Sequence, residues 1–351
     1  MCAAVTPDIQ NSINMGEEVM EDPPPYRVVE VDGKGRGLLA TRELEVGELV
    51  MSEKPLVMVQ GQPTVAKIRR MLDKVKKLPK EKRLKIMALT DPGEEDRTFD
   101  NLHLDPNGLR VARRFNANCH GVGEHATALY ENISIINHSC SPNVFWVDGR
   151  DGVSLEVRVC RRIEEGEEIL ASYFVFPDFP LREERQEKIW RSRYFQCLCD
   201  ICSLEKEEFK KDEEARKVIK VLHDEVARLY NTSGASAAFR AAEQKLEEME
   251  KVRESMALRL PEAMLECFNL AAMAGEREKR VEYKERALEV AQRLSNGHRE
   301  KAEERIRRVE MEVAMSRATS SESRKRKMVV VVKNLVLVSI VILAITCIFQ
   351  F

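Results

Sequence analysis

Three cysteines fall within six residues, Cys197-Leu198-Cys199-Asp200-Ile201-Cys202, and a fourth, Cys140, lies upstream in an Asn137-His138-Ser139-Cys140 turn. The C-x-C-x-x-C cluster offers three soft thiolates and lacks one ligand of a closed tetrahedral zinc site. Cys140 is the natural fourth ligand. Ordinary buried thiols are the alternative, although nine cysteines in 351 residues would not bunch this way by even scatter. Disulfides fit less well, because the total is odd, no signal peptide opens the chain, and Cys2, Cys119, Cys160, Cys267 and Cys347 are dispersed singly. A cytosolic or nuclear redox setting is expected on this ground.

Further residues able to do chemistry stand in order around these cysteines. Lys34-Gly35-Arg36-Gly37 alternates cations with glycines, a pattern that lets backbone approach a ligand while basic groups meet an anion. Taken alone, Lys34-Gly35 is equally a plain hairpin turn. Asn118-Cys119-His120 follows, then Asn137-His138-Ser139-Cys140-Ser141-Pro142-Asn143, then Gly166-Glu167-Glu168-Ile169-Leu170-Ala171-Ser172-Tyr173.

This ordered series, closed by the cysteine cluster, resembles a SET domain over residues 26–202, in the branch that includes the SET-and-MYND proteins and their relatives without a MYND finger. The resemblance implies an α+β fold: a SET β-fold of small sheets with a helical insertion and a post-SET zinc site, followed by an all-α C-terminal domain. It also implies transfer of a methyl group from S-adenosylmethionine to a lysine of a histone or non-histone protein. In that chemistry positioning supplies much of the acceleration. The attacking amine must be neutral, which an apolar channel and the sulfonium charge both favour.

Residue roles follow from the resemblance. Tyr173 matches the active-site tyrosine, expected to orient the amine rather than act as a strong base, since a phenol titrates near pH 10. Lys34 and Arg36 stand where the carboxylate and amino-acid end of the methyl donor is held, with Gly35 and Gly37 giving close backbone approach. Asn118 and Asn137 match amide contacts to the cofactor, and His138 the residue whose backbone meets the adenine. Phe195 resembles the aromatic that stacks on that ring, with a buried core phenylalanine as the alternative. Zinc on Cys140, Cys197, Cys199 and Cys202 would pin the cofactor turn to the far wall of the channel. Two positions depart from the pattern: His120 and Arg193 stand where many relatives have channel aromatics, which makes the channel more polar. A catalytically inactive SET-fold scaffold that recruits partners is the competing expectation.

The elements that must position these groups are legible in part. Strands are expected at 26–31, 37–40, 48–55, 143–147, 154–159 and 168–173, short and bounded by Gly, Pro or Asp. Residues 63–90 have helical spacing, occupy the place of a MYND insertion and contain no cysteine. Ten Lys or Arg fall within residues 67–85 against Asp73 and Glu81. Such a run could meet acidic protein, nucleic acid or anionic lipid, or be a solvated helix pair with Ile68, Met71, Leu72, Val75, Leu84 and Ile86 packed inward. The whole-chain charge of −2 argues against a wholesale nucleic-acid binder, and the 43% apolar fraction supports a globular core.

Residues 203–319 are rich in Glu, Lys, Arg, Ala and Leu and read as helical. Ala271 to Gly275 followed by Tyr283, Ala287 and Ala291 is similar to a tetratricopeptide-type hairpin, with a simple bundle the alternative, since no second copy recurs at a fixed period. Residues 1–25 read as a disordered arm. A basic linker at 320–328 precedes an apolar stretch at 329–351, long enough to cross a bilayer at about 1.5 Å per residue. A cytosol-facing tail anchor in the endoplasmic reticulum or mitochondrial outer membrane is expected from that layout, with nucleus and cytoplasm as the alternative.

Overall fold

The chain enters as a hairpin. β1 (Tyr26–Val31) pairs antiparallel with β2 (Gly35–Ala40), Tyr26 opposite Ala40 and Val31 opposite Gly35. Gly33 and Gly35 flank the turn with φ of 69° and 73°, a left-handed conformation that costs glycine little. The structure is a computed structural model and describes residues 23–61, 65–122, 126–149, 151–174, 179–294 and 296–318.

Beyond the hairpin come β3 (Leu49–Glu53) and β4 (Val57–Gln60), then two helices, α1 (Val65–Lys77) and α2 (Lys80–Met87), split by Pro79. α3 (Pro106–Asn118) starts on a strong signal: the Asp105 carboxylate accepts the N–H groups of Asn107 and Gly108, and Pro106 occupies the first turn. β5 (His120–Val122) and β6 (Ala126–Leu129) join β4 in a three-stranded sheet ordered β4-β6-β5. The remaining strands are β7 (Asn137–His138), β8 (Val144–Asp148), β9 (Leu155–Val159) and β10 (Glu168–Ala171). They complete a sheet ordered β1-β2-β10-β8-β9-β3, in which β7 also pairs with β10. Both β7 and β8 run parallel to β10, so the chain crosses over itself beside Asn137.

Two buried clusters hold these layers. Leu38, Leu44, Ile133, Ile163 and Ile169 fill the main sheet's interior, while Met71, Val75, Ile86 and Phe115 pack the helices onto the smaller sheet. Leu84 was expected inward but is 60% exposed. α2 is only eight residues long, and Ile86 alone supplies its buried face.

After α4 (Arg182–Arg193) and the single turn α5 (Asp200–Ser203) the chain is helical: α6 (Lys206–Ser233), α7 (Ala235–Lys251), α8 (Arg253–Met256), α9 (Leu260–Ala274), α10 (Arg277–Leu294) and α11 (Asn296–Ala318). α9 ends on Gly275 at φ 85°, and the Glu276 N–H returns to the Ala271 carbonyl, a left-handed helix stop. Tyr283, Ala287 and Ala291 of α10 pack into one core with Phe268 and Ala271. The fold is thus mixed α+β, with a helical C-terminal region.

The expectation of a tail-anchored membrane protein is corrected. No helix among the described residues is long and apolar enough to cross a membrane. The stretch at 329–351 on which that expectation rested, like the linker at 320–328 and residues 1–22 of the N-terminal arm, lies outside the described residues.

Candidate functional site

The Asn137-His138 turn is held from several sides. The Glu53 carboxylate accepts the backbone N–H groups of Glu131, Asn132 and Ile133 at 2.6–3.2 Å, fixing the 3-10 turn Ile133–Ile135 that leads into β7. Asn143, fully buried, donates through Nδ2 to the Glu168 carbonyl (2.8 Å) and accepts the Leu170 N–H (2.7 Å), locking the crossover beside β10. Asn137 Nδ2 then reaches the Arg36 carbonyl at 3.1 Å and Glu168 Oε1 at 2.9 Å, and Lys34 Nζ meets Glu168 Oε2 at 2.6 Å. Glu168 therefore ties Lys34 to Asn137. A Cβ on Gly37 would lie 2.7 Å from Val31 Cγ2 and 2.9 Å from both Asn137 Nδ2 and Glu168 Oε1, so glycine is needed for this approach.

Three rings close the next layer. Tyr173 lies 5.1 Å from His138 and 6.4 Å from Phe195, and His138 lies 6.1 Å from Phe195, all between ring centroids. The Tyr173 hydroxyl donates to the Ile136 carbonyl at 2.7 Å, and its backbone N–H donates to His138 Nδ1 at 3.0 Å. Burial pushes the Tyr173 phenol up to about 12, so it stays protonated at neutral pH. Burial also holds the His138 imidazolium down, to about 4, leaving a neutral ring. Because Nδ1 accepts, the proton sits on Nε2, which faces Cys140 Sγ at 3.4 Å.

That contact leads into the cysteine cluster. Sγ atoms of Cys140, Cys197, Cys199 and Cys202 all lie within 4.8 Å of one another, with Cys140 Sγ 4.0 Å from that of Cys197 and 3.7 Å from that of Cys202. Tetrahedral zinc with bonds of about 2.3 Å places its sulfurs about 3.8 Å apart, so the donor set fits that ion. Hydrogen bonding among the four thiols holds Cys199 and Cys202 below the ordinary thiol range and Cys140 and Cys197 above it. The Cys140 N–H donates to Cys199 Sγ at 3.4 Å. Arg185, 1% exposed, points Nη2 at Cys202 Sγ at 3.9 Å, and Gln186 clasps the Cys197 backbone at both N–H and carbonyl.

Asn118 lies apart from Asn137 in its bonding. Its Nδ2 donates to the carbonyls of Thr90 (2.8 Å) and Arg114 (2.7 Å) at the end of α3. Arg36 Nη2 donates to the Ala88 carbonyl at 2.5 Å. His120 stands edge-on to Trp146 at 4.8 Å and Tyr130 at 5.8 Å, and burial, aided by Arg193, lowers its pKa to about 3. Arg193 donates to the Asn116 carbonyl at 2.8 Å, with its Cζ 6.0 Å from the Tyr173 ring centroid and a buried Nε that has no hydrogen-bond partner. Sequence reasoning assigned no role to Glu53, Asn143, Glu168, Arg185 or Gln186. For Glu168 a signal existed in the Gly166–Tyr173 landmark, but its ion-pair partner lies 134 residues away.

Residues 35–174 match the SET domain family. The chain is 28% identical over 224 residues to the histone-lysine N-methyltransferase set5 of Schizosaccharomyces pombe, which covers 61% of this chain and 63% of that protein. It is 29% identical over 134 residues to the N-lysine methyltransferase SMYD2 of Gallus gallus, covering 35% and 28%, and 26% identical over 180 residues to SMYD2 of Homo sapiens, covering 49% and 37%. The chain thus spans less than two thirds of the length of these relatives. Landmarks, sheet crossover and sequence likeness converge on residues 35–174, which match the SET domain and are similar to the corresponding part of SMYD-like and set5 lysine methyltransferases.

Proposed function

We propose that this chain is a protein-lysine N-methyltransferase that takes its methyl group from S-adenosylmethionine and carries a structural zinc. The observation that carries the reading is Tyr173, whose hydroxyl and backbone N–H are both engaged, on Ile136 and His138, inside the SET match. The relatives named as lysine methyltransferases support it.

The residues suit such a cofactor chemically. Asn118 and Asn137 spend their amide N–H groups on carbonyls or Glu168, which leaves their Oδ1 atoms as acceptors for an ammonium. Lys34 and Arg36 supply positive charge for a carboxylate, Gly35 and Gly37 a close backbone, the His138 backbone a contact for the adenine, and Phe195 a flat face for that ring. Bound there, S-adenosylmethionine supplies an electrophilic methyl on a sulfonium. Tyr173 fixes the direction from which a lysine amine approaches. With its phenol held near 12, it neither removes nor donates a proton during turnover at neutral pH. The amine must arrive neutral, its proton lost to water. The guanidinium of Arg193, close to the Tyr173 ring, disfavours an ammonium there. Cys140, Cys197, Cys199 and Cys202 hold zinc as a closed structural site with no catalytic opening.

The test is incorporation of labelled methyl from S-adenosylmethionine into core histones and a panel of other proteins, wild type beside Tyr173→Phe. A loss of about 100-fold in rate with cofactor affinity unchanged is expected, the scale of a mispositioned reactant. Labelling equal in the two proteins, or none above background in either, rejects the reading and favours a scaffold role.

A further inference from the structure

The net charge of −2 hides a segregation of charge. Residues 67–85 hold ten Lys or Arg against two acids, and the structure places them on α1 and α2. On the C-terminal helices many exposed cations are matched by carboxylates, as in Arg228–Glu225, Arg293–Glu289 and Arg308–Glu304, and cations outside any ion pair among the described residues, such as Lys210 and Lys211, stand among acids in the sequence. On the hairpin, leaving aside buried Lys67, Lys85 is the one cation that meets carboxylates among the described residues, those of Glu81 and Glu131. Arg69, Lys77, Lys80 and Lys82 are exposed and enter no ion pair among the described residues. Arg69 and Lys76, like Arg70 and Lys77, are seven residues apart, so the charges recur on one side of α1 over about 10 Å.

We propose that the α1–α2 hairpin is a docking surface for duplex nucleic acid, holding its phosphate backbone without reading sequence. Three observations choose this partner. The hairpin has no aromatic residue between Val65 and Met87, so it offers no stacking platform for unpaired bases. The apolar side of α1 is spent on the core through Met71, Leu72 and Val75, and the exposed apolar residues Val65 and Leu84 are too few to make the apolar face that enters a bilayer. The arginine forks that would grip an acidic peptide's carboxylates are partly occupied: Arg70 donates to the Gln60 carbonyl and Arg83 to those of Lys76 and Leu78. What remains is mostly lysine, a compact charge suited to phosphates approached from many angles.

The surface also adjoins the candidate site, because the Ala88 and Thr90 carbonyls just past α2 receive Arg36 and Asn118. A protein packed on nucleic acid would thereby be brought beside that site. The proposal itself does not rest on the methyltransferase reading.

The experiment is fluorescence anisotropy of the full chain with a labelled duplex DNA of about 25 base pairs, titrated across salt, where about four phosphate contacts give a log–log slope near −3 to −4. The triple variant Lys77→Glu, Lys80→Glu, Lys82→Glu is expected to weaken binding at least tenfold and to flatten the slope. Lys210→Glu, Lys211→Glu on α6, exposed and away from the hairpin, is expected to leave binding unchanged, and matching circular dichroism melts confirm that both variants fold. Three outcomes overturn the proposal: no binding at low salt, equal loss in both variants, or tighter binding to poly-glutamate or to phosphatidylserine vesicles than to the duplex.

Discussion

Half-buried among the rings of Trp146 and Tyr130, His120 is a pH reporter. Its folded pKa of about 3 lies below the ordinary 6.5, chiefly through burial. The unfolded chain therefore binds a proton first as pH falls, and the histidine's contribution to stability, fully present above about pH 6.5, is lost as pH drops toward 3. At pH 5 this amounts to about 2 kcal/mol from this one residue. Urea unfolding at pH 7 and pH 5 should show a smaller acid loss for His120→Phe than for wild type. An unchanged difference would mean that the ring is solvated or protonated in the native state. At the same scale, Tyr173, Asn137 and the four cysteines could be singled out because each sits in a short distinctive string, and the structure brings the four thiols together. Glu168 was less legible, since a glutamate at a strand start looks like any solvated acid until Lys34 and Asn137 are seen to share its two oxygens.

Among the elements, the four-cysteine cluster joins the Asn137-His138 turn to the segment between α4 and α5. The His138 imidazole spans from Cys140 Sγ to the Tyr173 backbone, so metal loss should be felt at Tyr173 as well. Elemental analysis is expected to find one zinc per chain in wild type and none in Cys199→Ser. The variant's unfolding midpoint should fall by roughly 5–10 °C, as loss of a few kcal/mol does in a chain of this size. A metal-free wild type with an undisturbed midpoint would remove the site. β1 could be read to the residue, because turn glycines and a run of β-branched residues lie side by side in the chain, whereas β2 begins at Gly35, two residues before the expected 37–40. The β4-β6-β5 sheet went unread: its strands are only three or four residues long, too short for a period of two to register. β7 is two residues long and exists because β10 pairs with it.

For the molecule as a whole, the decisive contact is where the sheet region meets the C-terminal helices. Phe145 and Cys160 pack on Leu294, and Gly47 lies against the end of α10. A Cβ at Gly47 would come 2.2 Å from the Arg293 carbonyl oxygen, on a backbone already at φ 88°. Gly47→Ala should therefore cost about 2–4 kcal/mol, steric overlap added to left-handed strain. Gly152→Ala is the comparison, with φ 65° but nothing within 4 Å of its Cβ, and should cost about 1 kcal/mol from strain alone. Chemical denaturation of both variants decides; equal losses would show that the helices do not press on this loop.

The sequence alone determined the clustering of the cysteines, the order of the landmarks, the first strand and the helical character of the C-terminal region. These are properties of neighbouring residues, set by side-chain chemistry, turn preference and local periodicity. Tertiary structure decided what stands beside what: His138 between a thiol and Tyr173, Glu168 between Lys34 and Asn137, Leu84 facing solvent, and Arg69, Lys77, Lys80 and Lys82 outside any ion pair among the described residues. Such juxtapositions come from parallel pairings and core packing between distant segments, and a net charge or a residue spacing carries no record of them.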